Sequence, residues 1–88
     1  QVMINVKISP KAKETWKNDS EITGLISQRE KDLNLEGRIL VRESGTEPLI
    51  RVMLEGKNFE QINNYAIEIS EIIKQKVGID KEKMESEM

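Results

Sequence analysis

One ten-residue segment of this sequence concentrates side chains that bind anions. It reads Arg-Glu-Ser-Gly-Thr-Glu-Pro-Leu-Ile-Arg and runs from Arg42 to Arg51. The guanidinium groups at its two ends match phosphate oxygens in a bidentate way, and Ser44 and Thr46 supply hydroxyl donors. Gly45 lets the backbone turn with positive φ, so that successive amides point at one anion. The segment therefore predicts a phosphate-binding loop.

Two other interpretations fit the same residue types, and the residues alone leave them open. In a purely structural hairpin, Arg42 and Arg51 would pair with nearby carboxylates while the hydroxyls satisfy loop backbone groups. Those carboxylates are Glu43, Glu47 and Glu55. Alternatively, Glu43 and Glu47 would act as general acid and base, although nothing indicates a desolvated cleft in so small a domain.

The composition limits the class of protein and the kind of chemistry to which this loop could belong. The chain has 88 residues, 36% hydrophobic and 34% charged, which is enough for one small core and too few for two. It contains no Cys and no His, which excludes disulfides, zinc cages and the usual thiolate or imidazole catalysis. Any phosphate or sugar chemistry must therefore come from hydroxyls, backbone amides, carboxylates and arginines. The loop set is expected to bind phosphate without breaking a bond, so we expect no catalytic and no metal-ligating residue in this chain.

The net charge and hydropathy of the chain limit the classes of partner that it could bind. The net charge of −2 argues against a nucleic-acid partner, because nucleic-acid phosphates usually need a basic surface. No stretch approaches the roughly 18 apolar residues of a membrane span, and no signal segment opens the chain. We expect a soluble, cytoplasmic domain with no membrane partner, and its first residue, Gln1, indicates a piece of a longer protein.

Two strands are predicted to hold the loop between them as a hairpin. They span Arg38–Arg42 and Leu49–Glu55, and in each one apolar residues alternate so as to form one buried face. The residues expected on that face are Ile39, Val41, Ile50, Val52 and Leu54. A connection of about six residues is longer than the two-residue turns that merely reverse a chain, which is typical of a functional loop.

The other elements are a strand and two helices. Alternation over Val2–Ile8 predicts a strand that Ser9-Pro10 ends. After a short helix or turn carrying Trp16, a helix is predicted over Glu21–Leu33, capped by Asp19-Ser20 and ending near Asn34 or Gly37. We interpret Trp16 as a lid over the core edge rather than a ligand-stacking residue.

The last helix has the clearest pattern. Asn58 is its predicted cap, with Gln61 in capping-box position, and Gly78 is its C-cap. The helix therefore runs over Phe59–Val77. Its apolar stripe consists of Phe59, Ile62, Ala66, Ile69, Ile73 and Val77, widened by Tyr65 and Ile72.

These elements define an α+β fold in the order β-α-β-β-α. Because three or more short strands cannot bury themselves, both helices are expected on one face of the sheet, which leaves the other face partly open. The folded domain is predicted to cover residues 1–79, followed by a frayed tail over residues 80–88.

The loop resembles the phosphate-binding loop in the C-terminal domain of the α-D-phosphohexomutase superfamily, which reads Arg-x-Ser-Gly-Thr-Glu-Pro in many members. Residues 42–48 match it in full. The flanking segments 1–6, 37–41 and 49–56 look most like those of the bacterial phosphoglucosamine mutases within that superfamily. The resemblance covers roughly residues 1–77.

This resemblance implies a TATA-binding-protein-like fold and a role in an enzyme that interconverts glucosamine 6-phosphate and glucosamine 1-phosphate through a phosphoserine and a bisphosphorylated sugar, with Mg²⁺. The loop would grip the non-reacting phosphate of the phosphosugar through Arg42, Ser44, Gly45, Thr46 and Arg51. The serine, magnesium and sugar-selecting segments of the family are absent from these 88 residues, so they would belong to other domains of the parent chain. A phosphomannomutase or phosphoglucomutase, or a stand-alone module for phosphometabolites or single-stranded nucleic acid, remains an alternative.

Overall fold

A three-stranded antiparallel sheet covered by two long helices accounts for most of residues 1–78, the part of the chain that this computed structural model describes. The strands are β1 (Val2–Lys7), β2 (Gly37–Glu43) and β3 (Leu49–Gly56), and the helices are α1 (Ala12–Thr15), α2 (Ser20–Leu33) and α3 (Phe59–Val77). A single 3-10 turn, Trp16–Asn18, follows α1. The predicted tail over residues 80–88 lies outside the described residues.

The strand order is β1-β3-β2, so β3 is central and both of its neighbours are antiparallel to it. Side chains alternate between two faces. One face packs against α2 and α3, and the other is open. The α+β class, the β-α-β-β-α order and the placement of both long helices on one side of the sheet are confirmed.

The core lies between the sheet and the two long helices. Its fully buried side chains come from the predicted inward positions of the first and third strand segments, from α2 and from the stripe of α3, while Ile39 of β2 is 8% exposed. The largest of them are Val6, Ile8, Ile22, Ile50, Val52, Leu54, Ile62, Ile69 and Ile73. At roughly 1.5–3 kcal/mol for each fully buried large aliphatic side chain, this burial is what holds the sheet and helices together.

The helix ends follow the caps that the sequence predicts. Asp19 Oδ1 accepts hydrogen bonds from the amides of Glu21 and Ile22 at 3.0 and 3.2 Å, which starts α2 at Ser20, one residue earlier than expected. Asn34 then ends this helix in the left-handed conformation at φ 55°. In α3, Asn58 Oδ1 accepts from the amide of Gln61 at 3.0 Å.

Two details of α3 differ from expectation. Phe59 is 64% exposed instead of buried, and the buried part of the stripe begins at Ile62. The capping box is also only half formed, since the side chain of Gln61 donates to the Tyr65 hydroxyl at 3.3 Å instead of reaching back to Asn58. Gly78 does form the C-cap, with its amide bonded to the Lys74 carbonyl at 3.1 Å.

Arg29 joins the two long helices. Its guanidinium donates to both carboxylate oxygens of Glu68 on α3, at 2.7 and 3.0 Å, and to Asp32 at 2.5 Å. It also lies over the Tyr65 ring, 5.2 Å from the centroid. These hydrogen bonds raise the pKa of Arg29 and lower the pKa of both carboxyl groups below their usual range, so all three stay charged. Within residues 1–78 no helix has the length and apolar character needed to span a membrane.

Candidate phosphate-binding site

The β2–β3 hairpin places the two arginines of the loop segment side by side. Arg42 and Arg51 are direct partners in the strand register, and both lie on the open face of the sheet. Directly opposed residues in an antiparallel pair have Cβ atoms about 4.5–5.5 Å apart, and like charges in such a pair destabilise the sheet. The fold therefore bears a local electrostatic cost at this position, which an anion would relieve.

A shallow cavity of about 190 Å³ lies beside this pair of arginines. Arg42, Glu43, Ser44, Gly45 and Arg51 line it. One liquid water occupies about 30 Å³, so the cavity has room for a phosphate group. Four of the five site residues predicted from the sequence are thus brought to one place.

Thr46 is the predicted site residue that the structure leaves outside the cavity. It is exposed at the tip of the loop, and its hydroxyl does not line the space between the arginines. Its amide instead donates to Ser44 Oγ at 3.4 Å. In this conformation Thr46 contributes to the turn rather than to the wall of the cavity.

Neither arginine of the cavity forms an ion pair within the described part of the chain, residues 1–78. The carboxylates considered for them have other partners or none. Glu55 bonds Arg38 at 3.0 Å, and Glu43 lies 3.7 Å from the ammonium group of Lys17. The pairing expected for a purely structural hairpin is therefore not formed, and both guanidinium groups are available to a ligand.

Ser44 organises the backbone of the loop. Its Oγ accepts from the amides of Thr46 and Glu47 at 3.4 and 3.3 Å, and its own amide donates to the Leu49 carbonyl at 2.9 Å. A hydroxyl that accepts in this way keeps its own proton to donate, so Ser44 is able to donate to an anion in the cavity.

The predicted positive φ at Gly45 is wrong, because no glycine among residues 1–78 has a positive φ. The hydroxyl of Ser44 closes the turn, so the backbone does not need a left-handed residue there. No atom lies within 4 Å of where a Cβ on Gly45 would stand. The glycine leaves the rim of the cavity free of side chain.

Glu43 connects the loop to the helical side of the domain, a contact that the sequence did not reveal. Strand alternation places it on the same face as Ile39 and Val41, and its Oε2 accepts from the indole Nε1 of Trp16 at 2.9 Å. Trp16 is 3% exposed, which confirms it as a lid over the core edge. The sequence contained one usable signal, since a carboxylate on the inward face of a strand end needs a buried donor.

The electrostatics of Glu43 exclude it as a general acid. A hydrogen bond from its own backbone amide, and then the one from the indole, hold the pKa of this carboxyl below its usual range. It is therefore ionised at neutral pH and already has its partners. Glu43 acts as an anchor for the strand end that carries Arg42 and Ser44.

The charges of the cavity suit an anion and do not fit a divalent cation. Two guanidinium groups without an ion-pair partner among the described residues face it, and the Glu43 carboxylate is bound elsewhere. The lining therefore offers no hard oxygen ligand set of the kind that Mg²⁺ requires. Among residues 1–78 there is also no cluster of three or more acidic side chains that would hold a metal ion.

Comparison with known sequences identifies the family in which this fold and loop occur. The profile described as "Phosphoglucomutase/phosphomannomutase, C-terminal domain" matches residues 3–72, which include β2, β3, all but the first residue of β1 and most of α3. The chain belongs to this family of C-terminal domains.

Several phosphoglucosamine mutases are among its relatives. The chain is 47% identical over 78 residues to the enzyme of Alkaliphilus oremlandii and 44% identical over 78 residues to that of a Thermoanaerobacter species, in both cases over 89% of this chain. It is 42% identical over 80 residues to the enzyme of Bacillus pumilus, over 91% of this chain. Each alignment covers 17% of the relative, so the chain spans about a sixth of the length of the proteins it matches.

Proposed function

We propose that this chain is the phosphate-gripping domain of a phosphoglucosamine mutase, and that it binds the phosphate of the phosphosugar that is not reacting. The observation that carries the proposal is the pair of guanidinium groups of Arg42 and Arg51, which form no ion pair within residues 1–78, beside the Ser44 hydroxyl on the open face of the sheet. Two guanidinium forks and a hydroxyl donor match the three outer oxygens of a phosphate. The relatives support the choice of the amino sugar.

The domain would hold its ligand without breaking a bond. Each charge-assisted hydrogen bond to phosphate contributes roughly 1.5–3 kcal/mol, which is binding energy. The conversion of glucosamine 6-phosphate to glucosamine 1-phosphate would use the phosphoserine and Mg²⁺ of other domains of the parent chain. The bisphosphorylated sugar must reorient between half-reactions, and a loop that grips either phosphate, on a domain that closes over the cleft, serves this step.

Calorimetric titration of the 88-residue chain with glucosamine 6-phosphate tests the proposal. Arg42→Gln and Ser44→Ala should each weaken binding, and the loss of a charge-assisted hydrogen bond predicts about 10-fold or more for Arg42. Arg38→Gln is the matched control, because Arg38 lies on the same strand and face but already pairs with Glu55. Equal affinity of all four proteins would contradict the proposal, and so would mutase turnover by this chain alone.

Two alternatives have distinct signatures. The family profile also names phosphoglucomutase and phosphomannomutase, and comparing the kinetics of the parent enzyme with glucosamine, glucose and mannose phosphates separates these from an amino-sugar mutase. A stand-alone nucleic-acid module would instead show salt-sensitive oligonucleotide binding at low micromolar concentration.

A further inference from the structure

The register of the sheet places two polar residues of β1 next to the candidate site. Asn5 is the direct partner of Arg51, which is itself the partner of Arg42, so the three form one row across all three strands on the open face. Lys7 is the partner of Leu49 and lies on the same face, one row nearer the loop. Diagonal neighbours of this kind are about 7–8 Å apart, within reach of long side chains.

The end of β1 is also tied directly to the loop. The amide of Ile8 donates to the carbonyl of Pro48 at 2.9 Å, which holds the residue after Lys7 against the exit of the loop. Adjacent strands are about 4.8 Å apart, so Asn5 stands one strand spacing from the Arg51 backbone. A group bound at the arginines and extending across the sheet therefore meets β1.

The charged strand residues at this corner of the open face are all positive. Lys7, like Arg42 and Arg51, makes no ion pair within residues 1–78. The acidic strand residue on the open face is Glu55, three rows from Lys7 in the register and bonded to Arg38. Glu43 lines the cavity but turns its carboxylate to Trp16 on the other face. In the part of the chain that the structure describes, three cations thus share one corner without an ion-pair partner.

We propose that the binding site extends onto β1, with Lys7 as a third cation for the phosphate and Asn5 as the residue that contacts the sugar. This inference rests on the proposed function and names the ligand class as a hexose phosphate bound across the open face. The ammonium of Lys7 adds charge without directional preference, whereas the amide of Asn5 both donates to and accepts from a sugar hydroxyl or amine. Replacing Lys7 should therefore affect the binding of phosphate and of phosphosugar, whereas replacing Asn5 should affect only the binding of the phosphosugar.

The test compares inorganic phosphate with glucosamine 6-phosphate as ligands of the 88-residue chain in calorimetric titrations at low salt. Lys7→Gln should lower the affinity for both ligands by about 3- to 10-fold, and Asn5→Ala should lower only the affinity for the phosphosugar, by about 2- to 10-fold. The control variants are Lys57→Gln, beyond the opposite end of β3, and Asn64→Ala, exposed on α3. Both should bind as the wild type does.

The outcomes separate this inference from the proposed function. If Arg42→Gln loses affinity while Lys7→Gln and Asn5→Ala bind both ligands like the controls, the extension onto β1 is wrong and the phosphate site remains. If Lys57→Gln weakens binding as much as Lys7→Gln, the effect is one of net charge and the inference is also wrong. If Arg42→Gln binds as tightly as the wild type, both proposals fail. Unchanged melting temperatures of the two β1 variants would show that their effects are not losses of fold.

Discussion

The substitution Arg42→Gln at the candidate site should make the ligand-free domain more stable. Arg42 and Arg51 are opposed in the register on the open face, and neither has an acidic partner among residues 1–78. Two unit charges about 5 Å apart in water repel by about 0.8 kcal/mol, and splaying of the long side chains reduces this value. The expected gain for Arg42→Gln is therefore about 0.2–0.8 kcal/mol, within the range for like-charged cross-strand pairs.

The assay is thermal unfolding followed by circular dichroism. For a domain of this size the gain corresponds to a rise in Tm of about 1–6 °C at low ionic strength. In 1 M salt the Debye length falls to about 3 Å, so most of the gain should disappear. Inorganic phosphate at millimolar concentration should raise the Tm of the wild type and leave that of Arg42→Gln nearly unchanged, because only a protein that binds the ligand is stabilised by it.

Arg38→Gln is the control for this experiment. It removes one positive charge from the same strand and face but breaks the 3.0 Å ion pair with Glu55, so its Tm should stay the same or fall slightly. A fall in the Tm of Arg42→Gln at low salt, equal to or larger than that of Arg38→Gln, would refute the electrostatic reasoning. A rise that persists in 1 M salt would show that the effect is not one of charge.

Three other predictions concern two glycines, one helix cap and the charge of Glu43. Gly45→Ala should change the free energy of unfolding by less than about 0.5 kcal/mol, since its Cβ meets no atom within 4 Å. Gly37→Ala should lower it by about 1–3 kcal/mol, because its Cβ would overlap a backbone carbonyl of β3. Urea unfolding of the two variants measures both values. Asn58→Ala should cost about 1 kcal/mol through loss of the α3 cap while exposed Asn64→Ala costs little, and equal midpoints in the same titration would contradict the cap. Because the folded-state pKa of Glu43 is lowered, its charge stabilises the domain above about pH 4.5, and that stabilisation is lost as the pH falls through the lower folded value. The Tm difference between wild type and Glu43→Gln should therefore be largest near neutral pH and shrink in acid. A pH-independent difference would contradict this reasoning.

The periodic parts of the fold were predictable from the sequence because one-sided burial leaves a regular pattern. The bounds of α3, Phe59–Val77, are as expected, and β2 and β3 differ from expectation by at most one residue at each end. Caps with short polar side chains, such as Asp19 and Asn58, gave the helix starts because they bond amides two or three residues ahead.

The irregular parts were not predictable in the same way. The conformation of Gly45 depends on whether a side chain closes the turn. Ser44 closes it by accepting two local hydrogen bonds, and the residue types of the loop fit this turn and a left-handed glycine turn equally well. The bond from Trp16 to Glu43 joins residues 27 positions apart, so no local pattern indicates it. The pairing of Arg42 with Arg51 follows from the hairpin register, which became known only once the loop geometry was fixed.

The wall of the site therefore combines a local motif with a long-range arrangement. The loop supplies the Ser44 hydroxyl, the register aligns the two guanidinium groups, and Glu43 with Trp16 anchors the strand end that carries Arg42. This division explains why a chain with a net charge of −2 presents a concentrated positive corner. Within residues 1–78, the nearby carboxylates of Glu43 and Glu55 are already bound to Trp16 and Arg38.

The most direct test of the phosphate site is a two-dimensional ¹H–¹⁵N NMR titration of the 88-residue chain with glucosamine 6-phosphate. The structure predicts saturable shifts that cluster between residues 42 and 51, centred on the amides of Ser44 and Gly45, and that vanish in Arg42→Gln but persist in Arg38→Gln. Shifts scattered over the surface, or a cluster that survives the loss of Arg42, would contradict the assignment of this hairpin as the phosphate-binding site.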